Sequence, residues 1–194
     1  MAKAAKRSRK TLKPPVAVVG VGRVGLPLAL FLADNGHTVY GIDVDQQKVN
    51  LLSKAQMPFI EEGASQLLKK YLNKAFFIST DFANIARAKI IILTLGTPVD
   101  ENMNPSLVQI DNALSASSPF LSKGQLLILR STVSPGTTSY VQSYLNDLGN
   151  IKVGVNFFLS FCPERIAEGR SLSELSQIPQ IVGGVDRLST QKAA

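Results

Sequence analysis

The stretch Val16-Ala17-Val18-Val19-Gly20-Val21-Gly22-Arg23-Val24-Gly25-Leu26-Pro27 places a G-x-G-x-x-G turn between two apolar segments. The next apolar run, residues 38–43, ends on an acid, Asp43. This order of strand, glycine turn, helix, strand and terminal acid predicts a dinucleotide-binding unit. The simpler alternative is a glycine turn kept only for packing, with Asp43 as a solvated strand end.

Each glycine of the turn has a physical role in that interpretation. Gly20 makes the tight turn, Gly22 lets pyrophosphate approach bare backbone, and Gly25 lets helix and strand pack closely. The free N–H groups at the start of the helix favour anionic phosphate oxygens. Arg23 and Val24 complete the turn and are predicted to bind the cofactor with it.

Asp43 lies where an acid accepts hydrogen bonds from the adenosine ribose of a dinucleotide. A carboxylate there would repel a 2'-phosphate, so the sequence predicts NAD rather than NADP as the cofactor. Lys48 is a further candidate for contact with that ribose, and a helix-surface lysine is the alternative.

Charge is distributed unevenly along this chain of 194 residues, which is 45% hydrophobic and carries a net charge of +7. No acid precedes Pro14, but six bases do: Lys3, Lys6, Arg7, Arg9, Lys10 and Lys13. The rest of the chain has fifteen bases and fourteen acids. We therefore predict a disordered basic arm over residues 1–14 and one NAD-binding domain over residues 15–194. The near-neutral domain gives no indication of a nucleic-acid partner.

The cysteine content and the apolar runs indicate the cellular location. Cys162 is the only cysteine, so no internal disulfide forms, and no Cys/His spacing suits a metal. No apolar run is long enough to span a bilayer, and glycines interrupt the segment that resembles a signal peptide. The expectation is a cytoplasmic protein without a metal or a membrane anchor.

The remaining sequence alternates between strand and helix patterns. Strands are predicted at residues 38–43, 76–79, 89–95, 125–129, 152–161 and 181–184, and helices at 45–54, within 61–74, at 107–121 and from near Thr137. Asp81 is a predicted cap for a helical turn. The alternation predicts an α/β fold of the Rossmann type, a doubly wound, mostly parallel sheet with helices on both faces.

Ligands of such sheets bind beyond the carboxyl ends of the strands. Three groups of residues follow predicted strands there: Gly96-Thr97-Pro98, Ser131-Thr132-Val133 with Pro135-Gly136-Thr137-Thr138, and Cys162-Pro163-Glu164-Arg165-Ile166-Ala167-Glu168-Gly169. Thr97 and Thr132 are predicted to line the nicotinamide side of the cofactor. Turn chemistry and helix capping are the alternative for Thr97, Thr132 and Thr137.

These three groups, together with the glycine turn, resemble the N-terminal half of the UDP-glucose/GDP-mannose dehydrogenase family. The resemblance covers nearly the whole chain after the arm. Pro163-Glu164-Arg165-Ile166 and Pro179-Gln180-Ile181-Val182-Gly183-Gly184 are more similar to the UDP-N-acetylhexosamine 6-dehydrogenases than to the UDP-glucose enzymes.

The resemblance implies an NAD-dependent, two-step oxidation of a UDP-sugar C6 alcohol to a uronate for polysaccharide biosynthesis. Thr132 would hold a water near the reacting centre, Glu164 and Glu168 would flank substrate and nicotinamide, and Arg165 would contact the sugar or its phosphates. On a helical turn, Glu164 and Glu168 would share one face. The alternative is a solvated helix start.

The resemblance also implies parts that this chain does not contain. Family members continue through a helix with a catalytic lysine into a domain with a nucleophilic cysteine, so we expect NAD binding without full turnover. Cys162 is expected to be a buried structural residue, and His37 to lie at the opposite edge from the ligand crevice. An apolar face is expected to favour a homo-oligomer or association with the C-terminal half.

Two classes of function remain open at this point. The chain is either the NAD-binding half of a nucleotide-sugar dehydrogenase, or a non-catalytic NAD-binding module or truncated remnant that pairs with a full-length relative. A hydroxyacid dehydrogenase with the same glycine turn would leave residues 163–169 unexplained.

Overall fold

One sheet runs through the computed structural model, which describes residues 13–96, 106–167 and 169–194. Its strands are β1 (Val16–Val19), β2 (Val39–Ile42), β3 (Phe76–Ser79), β4 (Ile90–Leu93), β5 (Leu126–Leu129), β6 (Phe158–Phe161) and β7 (Gly183–Gly184). Their spatial order is β3-β2-β1-β4-β5-β6-β7. The first six strands pair in parallel and β7 is antiparallel to β6, which confirms the predicted mostly parallel Rossmann-type sheet.

Helices cover both faces of this sheet. They are α1 (Gly25–Asp34), α2 (Gln46–Ser53), α3 (Ala64–Tyr71), α4 (Val108–Ser117), α5 (Thr137–Asp147), α6 (Ser171–Glu174) and α7 (Arg187–Ala193). Two short 3₁₀ helices lie at Phe82–Arg87 and Ser118–Phe120. Asp81 caps the first of them by accepting a hydrogen bond from the Ala83 N–H at 2.9 Å, as predicted.

The strands are apolar on both sides because each face of the sheet carries its own core. Along β1, Val16 and Val18 pack in the core beneath α1 and α3, whereas Ala17 and Val19 pack in the core beneath α4 and α5. All four residues of β1 are buried. Strands enclosed in this way read as continuous apolar runs, typical of a parallel sheet covered on both sides.

The sixth predicted strand is shorter than expected. Residues 152–156 form a turn in which Gly154 adopts φ = 83° and the Lys152 N–H donates to Asn156 Oδ1 at 2.7 Å. Regular strand structure begins only at Phe158, because this turn takes up the apolar residues before it. The last predicted strand, residues 181–184, is likewise reduced to Gly183–Gly184.

Candidate functional site

The carboxyl ends of the five central parallel strands meet at one edge of the sheet. Residues Val19, Ile42, Leu93, Leu129 and Phe161 are in register across neighbouring strands. The residues that follow the strands continue the ladder by one hydrogen bond each, from the N–H groups of Gly20, Thr94, Arg130 and Cys162. This edge is therefore where the predicted ligand crevice has to lie.

The glycine turn at this edge has no room for side chains at two of its positions. Gly20 adopts φ = 90°, and a Cβ atom there would lie 2.6 Å from the Thr94 carbonyl oxygen. A Cβ atom on Gly25 would collide with the Gly20 carbonyl oxygen. Thr94 Oγ1, which the sequence did not single out, lies 2.5 Å from that same oxygen and secures the turn against β4.

Gly22 differs from its two neighbours in the motif. A Cβ atom there would meet nothing within 4 Å among the described residues. Packing against that part of the chain therefore gives no reason for glycine at this position. Open space above bare backbone is the condition under which a phosphate group can approach closely.

Asp43, just after β2, is buried with a carboxylate that accepts three hydrogen bonds. Its Oδ2 accepts from the Val21 N–H at 2.9 Å and from Lys48 Nζ at 2.8 Å, and its Oδ1 accepts from the Asp45 N–H at 3.0 Å. The turn and the acid are thus fixed to each other. Lys48, on α2, pairs with the acid rather than projecting from the helix surface.

A cavity of about 490 Å³ opens between the glycine turn and α4. Its lining includes Gly20, Gly22, Asp43, Lys48, Gln109 and Asn112. The volume falls within the range of ligand pockets, and the lining combines a few polar side chains with apolar ones. The structure thus brings four predicted cofactor residues together and adds Gln109 and Asn112, which a helical pattern alone did not distinguish.

The other two predicted residues of the turn lie at its outer side. Arg23 is exposed and places its guanidinium 5.4 Å from the centre of the Phe59 ring. Val24 is half-buried and immediately precedes α1.

Arg130 and Glu164 form a buried ion pair farther along the same edge. Arg130 Nε and Nη2 donate to Glu164 Oε2 at 2.8 and 2.7 Å, and the two side chains are only 7% and 9% exposed. Arg130 Nη1 also donates to Gln180 Oε1 at 2.6 Å. Arg130 follows β5 and Glu164 follows β6, so the pair connects two strand ends.

The segment around Glu164 is a loop and not the helical turn expected from the sequence. Residues 162–167 have neither helix nor strand structure, because Glu164 Oε1 accepts from the Arg165 and Ile166 N–H groups at 2.7 and 3.0 Å. These bonds fold the chain around the carboxylate. Residues 164–167 are therefore not part of the helical turn on which Glu164 and Glu168 were expected to share one face, and Glu164 does not lie at a solvated helix start.

The remaining predicted site residues are placed as follows. Thr132 is exposed just beyond β5, and Arg165 is exposed and donates from Nη1 to the Pro179 carbonyl oxygen at 3.3 Å. Thr137 is buried at the start of α5. Thr97 and Glu168 lie outside the described residues.

Two single residues agree with the structural roles expected for them. Cys162 is 5% exposed, and its burial raises the pKa of the thiol above its ordinary value of 9.0, although the nearby Arg130 charge acts in the opposite direction. His37 Nδ1 lies 2.8 Å from the Pro14 carbonyl oxygen, beside the amino ends of the strands and away from the crevice. Within the described ranges, no helix is long and apolar enough to cross a membrane.

Known proteins resemble this chain over most of its length. UDP-N-acetyl-D-mannosamine dehydrogenase of Methanococcus maripaludis is 31% identical over 183 residues, which cover 92% of this chain and 40% of the relative. NDP-N-acetyl-D-galactosaminuronic acid dehydrogenase of Ralstonia solanacearum is 28% identical over 92% of this chain and 43% of its own length. The chain thus spans about two fifths of the curated relatives it matches.

Solved structures show the same fold. UDP-D-ManNAc dehydrogenase of Pyrococcus horikoshii superposes with a TM-score of 0.89 at 28% identity, over 92% of this chain and 43% of that one. A ternary complex of GDP-mannose dehydrogenase from Pseudomonas aeruginosa gives a TM-score of 0.86 at 25% identity, over 92% of this chain and 42% of that one.

The family model that matches this sequence describes an NAD-binding domain and covers residues 15–194. NAD is therefore the cofactor of this domain, in agreement with Gly22 and Asp43 at the cavity. Members of the family are NAD-dependent oxidoreductases. The chain belongs to the UDP-glucose/GDP-mannose dehydrogenase family.

Proposed function

We propose that this chain is the NAD-binding half of a nucleotide-sugar 6-dehydrogenase that oxidises the C6 alcohol of a UDP-sugar to a uronate. The observation that carries the proposal is the cavity between Gly22 and Asp43, which is open where a pyrophosphate would lie and acidic where a ribose would lie. UDP-N-acetylhexosamines are the proposed substrates, since the similar proteins of Methanococcus maripaludis and Pyrococcus horikoshii are named as UDP-N-acetylmannosamine dehydrogenases. A cytoplasmic site of action, which the single cysteine favours, is part of the same proposal.

Different residues of the chain are proposed to bind different parts of NAD. Backbone N–H groups of the turn from Gly20 to Gly25 face the pyrophosphate, with Arg23 and Val24 at the outer side of the turn. Asp43 accepts hydrogen bonds from the adenosine ribose, and Lys48 holds the Asp43 carboxylate in place. When bound, NAD accepts the hydride that leaves the sugar.

The proposed reacting centre lies beyond β5 and β6. Thr132 is proposed to hold a water there and Thr97 to contact the nicotinamide side, while Glu164 and Glu168 flank substrate and cofactor. Arg165, whose guanidinium is exposed, is proposed to contact the sugar or its phosphates. The oxidation of a primary alcohol to a carboxylate releases two hydrides, so each sugar consumes two NAD, and water supplies the second oxygen.

A non-catalytic NAD-binding module is the second candidate function. The observation that favours it is the saturation of Glu164, whose carboxylate already accepts from Arg130 and from two backbone N–H groups. A second copy of this chain, or a chain that supplies the rest of the sugar site, is the proposed partner in either case. Sedimentation velocity over a range of concentrations would detect such association.

Isothermal titration with NAD tests the cofactor site. We expect the wild-type chain to bind NAD and Asp43→Ala to bind about tenfold or more weakly, because the ribose loses a charged acceptor. Asp34→Ala is the matched control, since Asp34 is an exposed carboxylate at the far end of α1. Equal NAD affinity in Asp43→Ala and wild type would contradict the proposed site.

Incubation with NAD and a panel of UDP-sugars then separates the two candidates. A dehydrogenase, completed where necessary by its partner, produces NADH fluorescence with at least one UDP-sugar, and this signal falls in Glu164→Gln. A non-catalytic module binds NAD and gives no NADH with any sugar in the panel.

A further inference from the structure

Glu61 is a buried carboxylate outside the cofactor cavity. It precedes α3 and is 7% exposed. Its Oε2 accepts from the Gly169 N–H at 3.0 Å and from Ser171 Oγ at 3.2 Å, whereas its Oε1 has no hydrogen-bond partner within the described part of the chain. A half-satisfied carboxylate is costly to bury, so its position needs a reason.

The reason for burying Glu61 lies in the segment to which it is hydrogen-bonded, around Gly169 and Ser171. We call residues 163–167 and 169–170 the acid loop, because they include Glu164. At its beginning, the buried Arg130 holds Glu164. At its end, Glu61 holds Gly169, which adopts φ = 87°, and the Glu62 N–H donates to the Gly169 carbonyl oxygen at 3.4 Å.

The segment that contains Glu61 also contacts the cofactor turn. Phe59 lies two residues before Glu61, and the Arg23 guanidinium of the glycine turn lies over its ring. One short segment thus contacts the phosphate-binding turn on one side and the end of the acid loop on the other. Such a connection fixes the distance between two parts of a site that come from opposite ends of the chain.

We propose that Glu61 is a positioning residue that fixes the C-terminal end of the acid loop relative to the cofactor turn. The inference rests on the proposed function, in which the acid loop carries the groups that face the substrate. Glu61 acts through the backbone of Gly169 and the hydroxyl of Ser171. It would therefore affect the placement of Glu164 without taking part in the reaction itself.

Limited trypsin digestion tests this role, because Arg165 and Arg170 are exposed cleavage sites within the acid loop. Their cleavage rates are compared with cleavage after Lys123, which lies in an exposed turn elsewhere. In Glu61→Ala we expect cleavage in the loop to be about tenfold faster relative to Lys123, since two hydrogen bonds to a carboxylate are lost. Glu62→Ala is the matched control and leaves the ratio unchanged, because Glu62 contacts the loop through its backbone N–H.

Two conservative variants separate positioning from a general loss of stability. Glu61→Gln keeps an oxygen that can accept both hydrogen bonds and should restore slow cleavage. Glu61→Asp is one methylene shorter and should not. Ser171→Ala removes one donor only, and we expect about a threefold increase in loop cleavage, which provides a second test if Glu61→Ala fails to fold.

The proposal is overturned if Glu61→Ala cleaves like wild type, if all sites including Lys123 accelerate together, or if Glu61→Gln cleaves as fast as Glu61→Ala. NAD titration of the same variants is an independent measurement. Failure of the wild-type chain to bind NAD would count against the proposed function, whereas unchanged loop cleavage in Glu61→Ala would count against the role of Glu61 alone.

Discussion

At the scale of single residues, Arg130 and Glu164 are buried together as an ion pair. Both side chains are almost completely buried, and one carboxylate oxygen accepts from two guanidinium nitrogens. A buried charge without its partner is far more costly than the absence of both. We therefore expect Arg130→Met to lower the free energy of unfolding by about 3 to 5 kcal/mol in urea denaturation.

A double-mutant cycle checks that the loss arises from the pair. Arg130→Met combined with Glu164→Leu should recover part of the stability, because no charge is then left buried alone. Arg165→Met is the control: its guanidinium is exposed, and the expected change is within about 0.5 kcal/mol. Strictly additive losses in the double variant would show that the pair is not coupled.

The same pair limits the chemistry of Glu164. Four donors occupy its two oxygens: two nitrogens of Arg130 and the N–H groups of Arg165 and Ile166. A carboxylate offers about four acceptor positions, so a water or a substrate hydroxyl has to displace one of these donors. Arg130 is buried, whereas the two backbone donors belong to the acid loop. A role for Glu164 as a proton acceptor thus requires movement of that loop, whereas a role as its anchor does not.

At the scale of elements, two substitutions in the glycine turn should have different effects: one should lower the stability of the fold and the other should lower NAD affinity. Gly25→Ala forces a Cβ atom into the Gly20 carbonyl group, and we expect a loss of about 3 kcal/mol in the free energy of unfolding. Gly22→Ala meets open space, so stability should remain within about 1 kcal/mol of wild type. NAD affinity should nevertheless fall about tenfold or more in Gly22→Ala, because the methyl group would lie in the proposed path of the pyrophosphate.

Urea denaturation and calorimetric NAD titration of both variants measure these effects. Gly124→Ala serves as a comparison for NAD affinity only: its methyl group lies away from the crevice, but the φ of 87° at this position makes the substitution itself destabilising. Wild-type NAD affinity in a folded Gly22→Ala variant would contradict the assigned path of the pyrophosphate.

The capping residue of α7 allows a prediction of how stability depends on pH. Asp186 caps this helix, and hydrogen bonds from the Ser189 N–H at 2.8 Å and then from its hydroxyl hold the pKa of Asp186 below its ordinary value of 3.8. A lowered pKa means that the stabilisation is complete above the unfolded pKa and is lost as the pH falls through the folded pKa. Asp186→Ala should therefore cost about 1 kcal/mol at pH 7, and the difference from wild type should shrink below about pH 4.

Urea denaturation at neutral and acidic pH measures this difference. Asp186→Asn separates capping from charge, because asparagine is also a good cap but does not titrate. A stability difference between Asp186→Ala and wild type that does not change with pH would show that the carboxylate charge is not involved.

Secondary structure was predictable where the apolar pattern is local. Strands β1, β3 and β5 follow uninterrupted apolar runs and agree with the prediction to within one residue. The helices α6 and α7 were not predicted, because they have four and seven residues and bury few apolar side chains. The Asp186 cap was the one local signal for α7.

At the scale of the whole molecule, the parts of the site that could not be predicted depend on contacts between distant residues. The glycines, Asp43 and Lys48 lie within one strand-helix-strand unit, so their spacing in the sequence reflects their spacing in the fold. Arg130 and Glu164 are 34 residues apart, and Glu61 and Ser171 are 110 apart. A single arginine after a strand and two consecutive glutamates before a helix, Glu61 and Glu62, have no local pattern that would indicate which side chain is buried.

The central sheet also determines how NAD binding should affect the whole chain. Both cores pack on the same strands, and the cavity lies at the edge where these strands end. Ligand binding to the folded state alone adds about 2.7 kcal/mol at a free NAD concentration one hundred times its Kd. For a chain of this size we expect Tm to rise by about 5 to 11 °C, with far-UV circular dichroism and tyrosine fluorescence reporting the same shift. NADP at the same concentration should give a smaller rise, since the Asp43 carboxylate would face its 2'-phosphate in the proposed site, and Asp43→Ala should reduce the difference between the two cofactors. An equal rise with NAD and NADP in the wild-type chain would show that Asp43 does not select between them.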